Sequence, residues 1–214
     1  MTTTADTPTP TPTPADALAL LERTTHARAF APGPVPPMAL RRIVDAGRNA
    51  PSLFNTQPFR FVVIRGGPNY ERLRTACNAS RDTFMKMRGL FGAMNKRLKE
   101  PLYVAGLERQ ATGDVLPEHG HAILVLQDDS YPESIESCAC ALMAMALEAT
   151  SCGMASQFTS WTRGLSFQKD VVAWLGIEKP FKPFTSIIVG NPVTPIAPRS
   201  STSRRSIDEA VRWM

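Results

Sequence analysis

Apolar residues along this chain recur every three to four positions in some segments and stand consecutively, β-branched or aromatic, in a few short runs. Leu18, Leu20 and Leu21 predict a short helix from about residue 16, with Asp16 as its N-cap, to about residue 24. Pro36 and Pro37 open a second helix that carries Leu40, Ile43, Val44 and Gly47 at helical spacing, and Pro51 stops it. The run at 59–64, closed by Gly66-Gly67, predicts a buried strand, as do 122–127 and 184–189. Helices are predicted over 70–78, 81–99 and 166–175, with a last one from about 207. Residues 102–119 mix Gly, Pro and charge without periodicity, so 81–119 reads as an insertion ending in a loop or lid.

The segment 134–151 differs from the other helices, because Ala, Met, Cys and Leu occupy nearly every face. A helix apolar all round must be buried, in the core or between subunits, and Gly153 marks its end. Three strands separated by helices, with helix in excess, predict an α+β or α/β fold. The 214 residues suffice for one domain over 16–214. The Thr-Pro repeat in 1–15 has nothing to bury and is expected to be a disordered tail.

Composition narrows the function classes. With 43% hydrophobic and 20% charged residues the chain is globular in character, and no apolar run reaches the roughly 20 residues a spanning helix needs. The first residues lack the basic and apolar regions of a secretory signal, which predicts a cytoplasmic location. The net charge of +5 is scattered through helical segments without interleaved aromatics, which argues against nucleic acid and leaves anion binding open. Four cysteines without a CxxC pair predict buried free thiols, and His119-Gly-His121 has no third ligand nearby, so no metal site is expected. Fingerprints of a Rossmann, P-loop or nucleophile-elbow enzyme are missing, and no Ser-His-Asp set can be assembled from spacing.

Three clusters carry candidate chemistry. Arg23-Thr24-Thr25-His26-Ala27-Arg28 sets two arginines around hydroxyls at a helix end, a donor set suited to phosphate. Ser52, Asn55, Thr56 and Gln57 crowd between Pro51 and Pro58, a stiff loop rich in donors and acceptors. Small and polar residues from Gly153 to Ser160 follow the apolar helix, where backbone N–H groups could face a planar ring.

Taken in order, these clusters resemble the nitroreductase family. The matching elements are the arginine-flanked segment ending in Phe30, Val35-Pro36 opening a helix, Ala50-Pro51-Ser52-Leu53-Phe54-Asn55-Thr56-Gln57-Pro58-Phe59 running into a strand, the small-rich helix reaching Gly153, Gly190-Asn191-Pro192, and Arg204-Arg205-Ser206-Ile207. The likeness covers about 18–211. It departs from the family in placing Arg23 and Arg28 five apart, in Phe59 where Trp is usual, and in Ser206 where Pro is usual.

The resemblance implies an α+β fold with a mixed sheet flanked by helices, paired as a homodimeric sandwich with FMN bound across the subunit interface. Phosphate and ribityl contacts then fall on Arg23, Thr25 or His26, Arg28, and Arg204 or Arg205. Pro51, Ser52, Asn55 and Gln57 meet the flavin of the other subunit, and Phe158, Thr159 and Ser160 lie along its ring edge. The implied activity is an FMN-dependent, NAD(P)H-driven two-electron reduction of a small acceptor such as a nitroaromatic or quinone, with no catalytic side chain because the flavin carries the chemistry. The alternatives are an FMN-dependent dehydrogenase or oxidase acting on a biosynthetic intermediate, or a non-catalytic flavin-binding module.

Overall fold

In the computed structural model, which describes residues 14–24, 26–94, 112–196 and 206–214, the most apolar run of the chain becomes the central strand. We label the elements α1 (Pro14–Arg23), β1 (Phe30–Ala31), α2 (Pro37–Arg48), β2 (Phe59–Ile64), α3 (Pro68–Met94), β3 (His121–Asp128) and α4 (Ser134–Ser151). They continue as β4 (Ala155–Thr159), a 3-10 segment (Trp161–Phe167), α5 (Lys169–Trp174), β5 (Phe181–Pro183), β6 (Ser186–Pro192) and α6 (Ile207–Ala210). Strand β3 pairs with β2, placing Phe59 opposite Gln127, and with β6, placing Ile123 opposite Ile187. Strands β4 and β1 extend from β6, and β5 adds to β3. Every named pair is antiparallel, and parallel contact among the described residues is confined to the isolated bridge between His26 and Ser156.

Helices cover both faces of this sheet, which is why β3 is continuously apolar instead of alternating. On one face Ile123, Val125, Ile187 and Val189 pack with Ile43 of α2 and Met145 of α4. On the other, Leu124 and Ile188 pack with Tyr70 and Leu73 of α3 and Leu165 of the 3-10 segment. The expected α+β class with flanking helices is the fold found. Among the described residues six strands stand where three were expected, since β1, β4 and β5 are too short or too polar to stand out as apolar runs. The helices predicted at 70–78 and 81–99 are one continuous helix to Met94, because Ala79-Ser80 holds no breaker. That predicted at 166–175 divides into the 3-10 segment and α5. Helix α1 starts at Pro14, so Asp16 lies in its first turn and is not the cap.

Helix α4 has the predicted span and ends as Gly153 directs. With φ of +73° Gly153 lets its own N–H reach Thr150 O at 3.0 Å and the Met154 N–H reach Ala149 O at 2.8 Å, a Schellman termination. Its burial is one-sided within this chain, because Ile135, Ala139, Cys140 and Met143 are exposed. The expectation of buried thiols therefore holds for Cys77 and Cys138, whose thiols burial pushes up to about 12, and fails for exposed Cys140 and half-buried Cys152. Residues 112–119 of the expected lid are built into the core: Val115 and Leu116 are buried, and Pro117 O accepts from the Tyr70 hydroxyl at 2.9 Å. Arg74 and Asn78 both hold Asp114 from α3. The rest of the expected lid beyond α3, at 95–111, and nearly all of the expected tail lie outside the described residues. No helix among the described residues is long and apolar enough to cross a membrane.

Candidate functional site

The segment after α1 is strapped to β4. Thr24 is buried, its hydroxyl 2.8 Å from Leu20 O and 3.1 Å from the Thr150 hydroxyl in the last turn of α4. That anchor fixes where the chain leaves α1. The Ala27 N–H then donates to Ser156 O at 2.7 Å, and the His26 ring donates through Nε2 to Phe158 O at 3.0 Å. His26 is thus clamped on either side of Gln157, and Arg28 follows as an exposed cation with no ion pair among the described residues. Arg23 is exposed too, with Nη2 3.5 Å from Ile196 O. The first and third sequence clusters therefore meet, which brings a positive field beside the strand that carries Phe158 and Thr159.

Strand β4 is held from below by β6, with Gln157 opposite Ile188 and Phe158 opposite Ile187. Beyond Ser160 the chain turns into the 3-10 segment, where the Thr162 hydroxyl donates to Phe184 O at 2.6 Å. Successive side chains of a strand point to opposite faces. Phe158 packs against the cluster under α4, while Ala155 packs on the opposite side with Ala27, so Gln157 stands on the Ala27 side. Its Oε1 is shut off from solvent and has no hydrogen-bond partner. Such an orphan costs about 1–3 kcal/mol, and nearly all buried polar groups in folded proteins are paired.

The loop at 51–57 is rigid and turned outward. Phe54, Asn55 and Gln57 have φ of 50°, 56° and 45°, a left-handed backbone that costs residues other than Gly roughly 1–2 kcal/mol each. Local bonds hold it: Gln57 N–H donates to Ser52 Oγ and Asn55 N–H to Ser52 O, both at 3.0 Å, and Gln57 Nε2 donates to Asn55 Oδ1 at 3.1 Å. Pro58 O accepts from the Asp128 N–H at 2.9 Å, which ties the loop to the end of β3. Phe54 is left 86% exposed. Among the described residues, hydrogen bonds of residues 52–57 close on the loop itself and none joins this cluster to the other two within one chain.

Of the candidate site residues, Thr25, Arg204 and Arg205 lie outside the described residues. Sequence reasoning passed over Thr24 and Gln157. Thr24 hides among hydroxyls that look equivalent in sequence, and Gln157 hides in a strand whose polar composition conceals its alternation.

Three solved structures share the architecture. A nitroreductase with bound FMN from Bacteroides fragilis matches with a TM-score of 0.69 at 18% identity, over 90% of this chain and 96% of its own. A second, with bound FMN, from Desulfitobacterium hafniense gives 0.65 at 18% identity over 92% and 97%. An FMN- and NADPH-dependent nitroreductase from Sphigopyxis sp. strain HMH gives 0.64 at 20% identity over 92% and 98%. The sequence profile described as the Nitroreductase family matches residues 20–191, and the chain belongs to that family.

Proposed function

We propose that this chain is an FMN-dependent oxidoreductase that takes two electrons from NAD(P)H and delivers them to a small organic acceptor such as a nitroaromatic or quinone, as a homodimer. The observation that carries the reading is the strapping of His26 and Ala27 onto β4, which sets the exposed Arg28 beside a strand with an unpartnered buried amide oxygen. That donor set fits a ligand with a phosphate, a polyol and a planar polar ring. When bound, FMN supplies the hydride-accepting and hydride-donating chemistry.

Arg28, Arg23 and either Arg204 or Arg205 would hold the phosphate through charge-assisted bonds, and Thr25 or His26 the ribityl chain. Phe158, Thr159 and Ser160 would lie along the ring edge, where fixed N–H dipoles stabilise negative charge on the reduced ring. Pro51, Ser52, Asn55 and Gln57 would reach the flavin of the second subunit. The loop satisfies its own hydrogen bonds while exposing Phe54 and Asn55, and α4 leaves Ile135 and Met143 uncovered, features that support this pairing.

The test is anaerobic: the purified chain is loaded with FMN, mixed with NADH or NADPH, and followed by flavin absorbance before an acceptor is added. Bleaching by a nicotinamide and recovery with a nitroaromatic or quinone is the expected result. A flavin that neither nicotinamide reduces would overturn the reading.

A further inference from the structure

We propose that Gln157 is a cofactor-binding residue whose side-chain amide hydrogen-bonds a ribityl hydroxyl of FMN; the proposal rests on the flavin reading above. A buried oxygen without a partner is unfavourable in the free chain, and an apolar side chain of the same length would relieve it. No donor reaches it among the described residues. The missing donor is then a ligand group.

Position says which group. Gln157 lies one residue from Ser156, whose carbonyl takes the Ala27 N–H, and one residue from Phe158, whose carbonyl takes the His26 ring. Its side chain leaves the sheet on the Ala27 side. Arg28 is the candidate for the phosphate end of the cofactor, His26 for its ribityl chain and 158–160 for the ring edge, so an amide beside His26 and between those two ends faces the polyol. A hydroxyl both donates and accepts, and it pairs with the amide whichever way the amide is turned.

Gln157→Met keeps length and shape and removes the hydrogen bond. Three readouts are compared with the wild-type chain: FMN affinity, affinity for lumiflavin, which has the ring without the ribityl phosphate, and thermal melting of the flavin-free protein. The expected result is FMN binding about tenfold weaker, lumiflavin binding unchanged, and a melting temperature equal or higher. On the wild-type chain, one of the 2′-, 3′- and 4′-deoxyribityl analogues of FMN must lose about the same factor and lose nothing further in the variant. The first of these losses is read on the wild-type chain alone, so full affinity for all three analogues overturns the proposal even if the variant fails to fold.

Unchanged FMN affinity overturns the proposal. So does equal weakening of FMN and lumiflavin, which would place the contact on the ring, and so does a lowered melting temperature of the flavin-free variant, which would make Gln157 structural. A wild-type chain that binds neither flavin overturns the flavin reading itself, an outcome distinct from these.

Discussion

The Gln57 main-chain N–H donates to the Ser52 hydroxyl at 3.0 Å, and this bond spans a loop in which Phe54, Asn55 and Gln57 all hold left-handed backbone. The loop persists because local bonds outweigh its strain. Ser52→Ala removes the acceptor in a partly exposed setting, so its cost in stability is about 1 kcal/mol, near the ordinary worth of one hydrogen bond. If the loop contacts flavin across a dimer, FMN affinity should fall several-fold as well. Urea unfolding and FMN titration of the variant measure both effects, and unchanged values in both would show that the other loop bonds suffice.

The sequence pattern locates what burial dictates and passes over what neighbours dictate. The span of α4, the strand at 59–64 and the Gly153 cap were legible because apolar periodicity and a glycine with positive φ act locally. Strand β4 was not, because Ser156, Gln157 and Thr159 are strand residues only through pairing with β6, a contact about thirty positions away in sequence. The same holds at the site. Arg28 and His26 could be picked by residue type, but their junction with β4, and so the place of Gln157, depends on tertiary contact.

Gly47 of α2 is required by Met145 of α4. A Cβ at residue 47 would clash with Met145 Cε and lie 2.8 Å from its Cγ, so the fully buried Met145 side chain would have to shift. Alanine favours a helix by about 1 kcal/mol over glycine, whereas overpacking costs typically 1–3 kcal/mol, so the clash wins. Gly47→Ala should destabilise by up to about 2 kcal/mol. Met145→Ala alone should cost about 2–5 kcal/mol through the cavity it leaves, and the double variant less than the two added. Strict additivity in urea unfolding would show that the two positions do not press on each other.

His121 should make the fold acid-sensitive. Its Nδ1 accepts the Gly66 N–H at 3.2 Å, and burial, then the charge of Arg65, hold the imidazole below its ordinary pKa. For a group whose folded pKa is depressed, the unfolded chain binds more protons below about pH 6.5. The stabilisation is therefore complete above that value and declines as pH falls through it toward the lower folded value. His121→Asn keeps an acceptor near the Nδ1 position and does not titrate there. The loss of stability between pH 7.5 and pH 5.5 should be smaller in the variant, and an equal loss in both proteins would assign the acid sensitivity elsewhere.

Ile135, Ala139 and Met143 lie four residues apart on the exposed face of α4, with Ile135 at 53% and Met143 at 36% exposure. Residues at that spacing share one stripe of a helix, and this apolar stripe is the half of α4 that the core does not use. In the proposed dimer it is covered, so a charge placed there must lose solvent without a partner, a cost of several kcal/mol. Met143→Glu should therefore dissociate the dimer at micromolar concentration, whereas Glu136→Gln, which removes a charge from the same helix, should not. If the loop at 51–57 completes the flavin site of the second subunit, dissociation and FMN release are linked. FMN affinity of Met143→Glu should then rise with protein concentration, because association and binding favour the same state. Sedimentation velocity and FMN titration at two protein concentrations measure the linkage. A wild-type chain that sediments as an FMN-loaded monomer would refute both the dimer and the shared site.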